Sequence, residues 1–217
     1  MSVFEKTDLN RVRRVAKRGI YDKERIYEIV DDALICHVGF VADGRPFVIP
    51  TLHARVGDEI LLHGATTSRL MRHAGAGHEL CITVTHVDGV VLARSVFNHS
   101  MNYRSAVLFG RGRAIVEDEA KMAALEAFTN RLMPGRWADA RPPNDKELKA
   151  TTVVAVTIES ASAKARSGPP VDEEEDYVLP HWAGVLPLHL DYGHPVTDEQ
   201  LPEGIEVPGY VWEAIDG

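Results

Sequence analysis

Short runs in which apolar and polar residues alternate fill most of the chain up to residue 160, and they predict a mainly β protein. LICHVGFV and PFVIPTLHARV lie on either side of a turn at 43–44 and predict a hairpin, and EILLH follows a second turn at 57–58. LCITVTHV, VVLARSVF, YRSAVLFGRGRAIV and TTVVAVTIE predict further strands, with a turn at 88–89 between the first two. About seven strands that follow one another without alternating helices fit an antiparallel barrel, either closed or partly split.

Helical spacing of apolar residues is confined to a few flanking segments. Asp22 is a candidate N-cap for a helix through about Asp32, and a short helix is expected at 144–150. Ser68 is a candidate N-cap for a short helix whose apolar stripe is Leu70, Met71 and Ala74 and whose stop signals are Gly75 and Gly77. The longest helix is predicted over 118–133, with Met122, Leu125, Phe128 or Thr129, and Leu132 on its buried face.

Proline and glycine modify two of the predicted strands. Pro50 cannot donate a ladder hydrogen bond, so its strand is expected at a sheet edge or a bulge. Backbone groups beside Pro50 and Thr51 would then be available to a ligand, although an ordinary edge proline is an equally good interpretation. The long strand before the main helix is expected to need Gly110 and Gly112 for its twist.

Changes in composition divide the chain into three parts. Residues 1–19 carry many basic side chains before any core pattern and predict a solvated arm. Residues 20–160 form the predicted barrel domain. Residues 161–217 are rich in Pro and Gly and contain an acidic run at 172–176, and the apolar segment around Trp182 is expected to pack on the barrel and on a second subunit.

Composition narrows the classes of function. A chain of 217 residues with 45% hydrophobic content can bury a core without staples. A net charge of -8 argues against nonspecific binding to nucleic acid or to anionic membranes. Cys36 and Cys81 lie in apolar runs and predict reduced core thiols, and no export signal or membrane span is apparent, so a cytoplasmic protein is expected.

The start of the Ser68 helix is the first candidate site. Hydroxyls of Thr66, Thr67 and Ser68 and the guanidinium of Arg69 meet there at unpaired backbone N–H groups, a combination that suits a phosphate. The alternative is that Ser68 only caps its helix. The ten histidines form no HExxH or Cys/His cluster, so no metal site is predicted, although one axial histidine would suffice for haem.

A polar segment at 98–105, NHSMNYRS, is the second candidate site. It is predicted to be a link between strands, and Asn102, Tyr103 and Arg104 combine an amide, an aromatic face and a positive charge. Such a set suits a planar, anionic ligand. The alternative is a loop whose side chains cap its own turns.

Several stretches in this order resemble the pyridoxamine 5'-phosphate oxidase-like flavin-binding split-barrel group, within it the branch of nitroimidazole-resistance reductases. They are LICHVGFVADGRPFVIPTLH, ILLHGATTSRLMRHAGAGH, SMNYRSAVLFGRGRAI, the helix ending in MPGRW, and TTVVAVTIES with SAKARSGPP and HWAGVLPL, together spanning roughly residues 20 to 190. The resemblance implies an antiparallel split β-barrel with flanking helices, and a homodimer that holds FMN between its subunits.

The resemblance also implies roles for individual residues. The strand at 48–52 would run along the flavin ring, Ser68 and Arg69 would hold the 5'-phosphate, and His63 would lie close to the flavin, where it could bind substrate or relay a proton. A core or turn histidine is the equal alternative for His63. The full set expected at the cofactor is Val48, Ile49, Pro50, Thr51, His63, Gly64, Thr67, Ser68, Arg69, Asn102, Tyr103, Arg104 and Trp182.

Two departures from the family pattern argue against oxidation of vitamin B6. Leu70 stands where true pyridoxamine phosphate oxidases carry a second basic residue, and their C-terminal Arg and His substrate pair is absent. We therefore expect an FMN-dependent oxidoreductase that passes electrons from a donor such as NAD(P)H to a small, nitroaromatic or quinone-like acceptor. FAD and haem are the alternative cofactors, and a non-catalytic flavin carrier or sensor, or a haem-binding split-barrel protein, are the alternative functions.

Overall fold

The computed structural model describes residues 2–216, in which nine strands and five α-helices are present. The strands are β1 (Gly19–Ile20), β2 (Ile35–Ala42), β3 (Arg45–Leu52), β4 (Ala54–Val56), β5 (Glu59–Ala65), β6 (Glu79–Leu92), β7 (Ser100–Ile115), β8 (Thr151–Arg166) and β9 (Gly184–Pro187). The helices are α1 (Lys23–Asp32), α2 (Arg69–Gly75), α3 (Asp118–Leu132), α4 (Asp145–Ala150) and α5 (Gly209–Asp216). No helix among these residues has both the length and the apolar character needed to cross a bilayer.

The strands form one antiparallel sheet in the order β3-β2-β6-β7-β8-β5-β4, which confirms the mainly β, split-barrel prediction. β1 pairs with β8 and β9 pairs with β6 outside this path. Among residues 2–216 no strand pairing joins β3 to β4 or β5, so the barrel is split there. His53 alone separates β3 from β4 along the chain. β3 is therefore an edge strand, as the proline at position 50 predicts.

The core lies inside the barrel, with a second cluster outside it. α1 and α2 contribute Ile26, Val30 and Met71 to the interior cluster, which confirms both predicted helices and the apolar face predicted for α2. The second cluster lies between α3 and the outward side of β5 and β8 and includes Leu61 and Phe128.

The face that α3 buries agrees with the predicted one only in part, since Phe128 is buried and Leu125 packs against the second cluster. Lys121, Ala124 and Phe128 are its buried residues, whereas the predicted Leu132 is exposed. Lys121 can be buried because its ammonium group donates to the carbonyl oxygen of Leu148 at 2.7 Å. A prediction from hydrophobic spacing alone does not identify Lys121 as buried, because its hydrogen bond to Leu148 is not visible in the sequence.

Two local predictions around β6 and β7 are wrong. Residues 88–89 are not a turn, because β6 continues through them with a shift of register between Val87 and Gly89. Residues 100–105 are not a loop, because they are the first residues of β7. The backbone groups of both segments form hydrogen bonds with neighbouring strands. The turn-forming residues at 88–89 are therefore accommodated as a β-bulge within β6.

The glycines of β7 are needed for close packing, as predicted. A Cβ atom at Gly110 would overlap the carbonyl oxygen of Thr157, and one at Gly112 would lie 2.5 Å from that of Ala74. The register of β7 on β8 also shifts between Phe109 and Gly110. These positions bend the strand and admit α2.

The terminal segments are packed more closely than the sequence predicts. Phe4 and Asn10 are buried, and the Asn10 amide donates to the Ala161 carbonyl oxygen at 3.2 Å, so residues 1–19 are not simply a solvated arm. β8 extends to Arg166, and the boundary expected at residue 160 therefore falls within a strand. Apolar terminal residues are covered because the barrel offers them a surface.

Candidate cofactor site

The start of α2 is held where β5 ends. Ser68 is the N-cap, and its Oγ accepts a hydrogen bond from the Met71 N–H at 3.4 Å, as the capping interpretation predicts. Gly64 lies under the helix, since a Cβ there would come within 3.1 Å of Met71 Cγ. Thr66, Thr67 and Arg69 are exposed beside the cap. The four residues predicted to hold a phosphate, Thr66, Thr67, Ser68 and Arg69, therefore lie together.

Arg69 joins this segment to β3. Its guanidinium carbon lies 4.4 Å from the centroid of the Phe47 ring. Within residues 2–216 no carboxylate lies within 4.0 Å of it, so its positive charge is available to an anion. A guanidinium that stacks on an aromatic face is pre-oriented and loses little freedom on binding a phosphate.

β3 presents a free edge and an exposed apolar face. Val48 is 67% exposed and Pro50 is exposed, while Ile49 and Thr51 are half-buried on the other face. β2 is the strand partner of β3 in the described residues. The outward backbone groups of residues 48–51 are thus open to a planar ligand.

A row of stacked side chains continues from Arg69 across the hairpin. Phe47 stacks on Phe40 with 5.4 Å between ring centroids, and Phe40 lies 4.8 Å from the His73 ring. His73 in turn lies 4.5 Å from the His78 ring. The row is possible because Arg69 and His73 are four residues apart and project from the same side of α2.

The row borders a cavity of about 590 Å³ between the β2–β3 hairpin, the end of α2 and the adjoining ends of β6 and β7. Its lining is mainly apolar and consists of Gly39, Phe40, Val41, Pro46, Phe47, Val48, His73, His78, Glu79, Leu80, Cys81, Phe109 and Arg111. The imidazole nitrogens of His73 and His78 have no hydrogen-bond partner among residues 2–216. Burial, and secondarily the neighbouring His78, lower the pKa of His73, which favours the neutral imidazole that can bind a metal.

Sequence reasoning missed this cavity and its two histidines. The sequence pattern does not distinguish His73 and His78 from the eight other histidines, and it places Phe40 and Phe47 only in strands. The available signal is the spacing of Arg69 and His73, which places both on one face of α2. The pairing of that face with Phe40 and Phe47 depends on how the hairpin packs.

His63 lies under α3. Its ring centroid is 4.3 Å from that of Phe128, and its buried Nδ1 has no hydrogen-bond partner in the described part of the chain. Burial lowers its pKa, so the imidazole is neutral near pH 7. The packing agrees with the alternative of a core histidine, and the catalytic role of His63 stays a prediction.

Asn102 and Arg104 are engaged with other protein groups. Asn102 is buried, its Oδ1 accepts a hydrogen bond from Arg166, and its Nδ2 donates to the Gly168 carbonyl oxygen at 3.2 Å. Arg104 binds Asp88 at 3.1 Å and Asp32 at 2.6 Å, and these hydrogen bonds, led by the one to Asp88, raise its pKa. The guanidinium of Arg104 is thereby neutralised within the protomer.

Several of the predicted residues lie far apart along β6. Val48 aligns through Gly39 with Cys81 of β6. Asn102 aligns with Gly89, and Tyr103 lies beside it, about 27 Å further along an extended strand. Trp182 is 69% exposed and precedes β9, whose Gly184 pairs with Leu92, further still from Cys81. A single chain therefore does not bring Asn102, Tyr103 or Trp182 next to Val48 and Arg69. Arg104 pairs with His86 of β6, three residues from Thr83, which aligns through His37 with Pro50, and two strands separate it from β3.

Known proteins share both the sequence pattern and the fold. The family model described as pyridoxamine 5'-phosphate oxidase matches residues 22–165. The flavocytochrome Anf3 from Azotobacter vinelandii is 37% identical, with 96% of this chain and 97% of that chain covered and a TM-score of 0.90. The FAD and haem binding protein from Mycobacterium smegmatis is 39% identical, with 91% and 97% covered and a TM-score of 0.87.

A more distant structure agrees with the branch that the sequence resembles. A chain described as a 5-nitroimidazole antibiotic resistance protein from Bacteroides thetaiotaomicron is 25% identical, with 67% of this chain and 85% of that chain covered and a TM-score of 0.56. No curated protein matches the sequence. The match of the family model over most of the barrel, with two relatives above one third identity, identifies the chain as a member of the pyridoxamine 5'-phosphate oxidase-like split-barrel family.

Proposed function

We propose that this protein binds a flavin and a haem and acts as a redox protein. The observation that carries the proposal is the similarity, over nearly the whole chain, to two proteins whose names state flavocytochrome and binding of FAD and haem. It extends the expectation from sequence, in which FMN came first and haem was an alternative.

The flavin fits the segment formed by β3 and the start of α2. A phosphate needs a positive charge and donors, and Arg69, the Ser68 hydroxyl and the exposed Thr67 hydroxyl provide them. An isoalloxazine ring needs a flat apolar surface and backbone donors and acceptors at its rim, and the open edge at 48–51 provides both. The side chains of this segment bind and orient the flavin, which when bound supplies the redox chemistry.

The haem fits the cavity beside His73. A haem pocket needs an apolar lining and an imidazole that is neutral and not already hydrogen-bonded, and the cavity has both. Of the two histidines, His73 is the more buried and packs on Phe40, so it is the residue that would hold the haem iron. The bound haem would supply one-electron redox chemistry.

The electron acceptor is proposed to be a small molecule of nitroaromatic or quinone type, with a reduced nicotinamide as donor. The exposed apolar face of β3 suits a flat, weakly polar acceptor. His63 would act as a proton relay only if the flavin approaches it from the α3 side. A turnover rate of the His63→Ala variant equal to that of the original protein would remove His63 from the mechanism.

A second copy of the chain is proposed to complete the flavin site. The outward face of the β2–β3 hairpin exposes Val41 and Val48, at 61% and 67%, and Trp182 is similarly exposed at the other end of β6. Burying apolar surfaces of this kind favours association. In a twofold dimer, Asn102, Tyr103 and Trp182 of one subunit can approach β3 of the other, which one chain does not allow.

The absorbance spectrum of the purified protein tests the proposal. We expect both a flavin band and a haem Soret band, and chromatography of the released flavin will tell FMN from FAD. A spectrum with neither band after reconstitution with flavin and haemin would overturn the proposal.

A non-catalytic flavin carrier or sensor is the second candidate, because it needs the same flavin contacts. Anaerobic mixing with NADH or NADPH separates the two. Rapid bleaching of the flavin band supports a redox enzyme, and a persistent oxidised spectrum supports a carrier.

A further inference from the structure

A basic cleft lies on the β8 side of the barrel, away from Arg69 and His73. It has a volume of about 430 Å³ and is lined by three cationic side chains, those of Lys17, Arg18 and Arg166, together with Ile20, Ala165, Ser167, Pro169 and Val171. Neither the flavin segment nor the haem cavity uses any of these residues. Within one chain the cleft is therefore separate from both, and only its Arg166, through Asn102, contacts a residue expected at the flavin.

The charge of the cleft is not compensated. In residues 2–216 no carboxylate oxygen lies within 4.0 Å of Lys17, Arg18 or Arg166. Several other arginines on the sheet have such partners, as Arg104 has with Asp88 and Arg113 with Glu59, whereas Arg45 has none among residues 2–216. Three unpaired cations in a chain of net charge -8 form a local trap for an anion.

Arg166 is held in place by neutral groups. It donates to the Asn102 amide oxygen and to the carbonyl oxygens of Gly168 and Pro169, the last two at 3.3 and 3.0 Å. These acceptors fix the guanidinium without cancelling its charge, and Asn102 itself is only 8% exposed. Of the five N–H donors of a guanidinium, about two stay available to a ligand. A fixed, uncompensated guanidinium is the usual recognition element for phosphate.

We propose that this cleft binds the phosphate groups of a dinucleotide. Three positive charges favour a multiply charged anion over a single carboxylate, and the apolar side chains of Ile20 and Val171 can contact the organic part of such a ligand. The choice of a dinucleotide as the ligand rests on the proposed redox function, which requires a flavin and a nicotinamide donor. The proposal that the cleft binds an anion does not rest on that function. FAD and NAD(P)H both carry such a diphosphate.

Titration calorimetry with pyrophosphate tests the anion site. The protein is the Arg69→Gln variant, so that the proposed flavin phosphate site does not contribute. Adding Lys17→Gln and Arg18→Gln should weaken pyrophosphate binding by about tenfold or more, since each substitution removes a charged contact. Arg14→Gln is the matched control, because it removes one charge from the same arm outside the cleft. Absence of binding before the two substitutions, or an equal loss in the control, overturns the proposal.

Competition distinguishes the two sources of the diphosphate. Displacement of pyrophosphate by FAD and not by FMN assigns the cleft to the flavin, and displacement by NADPH or NADH assigns it to the donor. Failure of all three dinucleotides to compete overturns the dinucleotide assignment. These outcomes do not depend on a flavin or haem spectrum, so the proposed function and the anion site can fail separately.

Discussion

The Arg69 guanidinium lies 4.4 Å from the centre of the Phe47 ring, and this contact joins the start of α2 to the edge strand β3. Arg69 follows β5 and Phe47 lies on the far side of the opening in the barrel, so the pair spans the split between β3 and β5. Because the ring orients the guanidinium, the charge is held at the place where the sheet leaves its edge unpaired. The position of the proposed flavin phosphate follows from this contact.

Substitution of Arg69 should weaken binding of a phosphorylated flavin selectively. Arg69→Ala is expected to cost about 1.5 to 3 kcal/mol in FMN or FAD binding, the usual range for a hydrogen bond to a charged group. Binding of riboflavin, which has no phosphate, should change little. Fluorescence titration with FMN, FAD and riboflavin measures the difference. Arg72→Ala, on the exposed side of the same helix, is the control. Equal FMN affinity of the Arg69 variant and the original protein would contradict the assignment.

Loss of the His73 imidazole should abolish haem binding. His73→Ala reconstituted with haemin is expected to show no protein-bound Soret band, because the imidazole that would hold the haem iron is removed. His78→Ala should keep the band, since His78 stacks on His73 and is the more exposed ring. The reverse result would transfer the axial role to His78, and retention of the band in the double variant would exclude this cavity.

Charge on the outer face of β3 should separate the proposed dimer. Val48→Lys places an ammonium group on a surface that we expect to be apolar and buried between two copies, and such a burial is costly. Light scattering coupled to size exclusion should give a dimer mass for the original protein and a monomer mass for this variant. Val196→Lys, at a 95% exposed position of the tail, should leave the mass unchanged. A monomeric original protein would refute the assembly.

Acidification should destabilise the fold in part through His63. Burial lowers its pKa in the folded state, whereas the unfolded chain titrates near pH 6.5. The unfolded state then binds the proton more tightly, so the stabilising contribution is complete above about pH 6.5 and is lost as the pH falls toward the folded-state pKa. The free energy of unfolding in urea at pH 7.5 and pH 5 should differ less in His63→Leu than in the original protein. His181→Leu, at an exposed site, should keep the original pH dependence. Identical pH dependence in all three proteins would rule out the effect.

Removal of the space at Gly112 should destabilise the barrel. A methyl group there would lie 2.5 Å from the Ala74 carbonyl oxygen and 2.7 Å from a Val154 methyl carbon. Gly112→Ala should therefore lower the free energy of unfolding by about 1 to 3 kcal/mol, the usual range for overpacking. Urea unfolding followed by circular dichroism gives the value. Gly193→Ala, which has no atom within 4 Å, is the matched control and should be close to neutral.

The sequence by itself determined the elements whose evidence is local. Alternation of apolar residues gave the strands, Asp22 and Ser68 gave helix starts, and Pro50 gave the edge position of β3, because each depends on a residue's own backbone chemistry. The order of motifs gave the family.

Only the tertiary structure decided which side chains meet. It placed His63 against Phe128, engaged Arg104 with two aspartates, and stacked Phe47, Phe40 and His73 beside Arg69. These contacts join residues far apart in the chain and depend on how the hairpin and the helices pack on the sheet. The sequence shows which side chains are present, but the packing of elements that are distant in the chain decides which side chains are buried and which residues they contact.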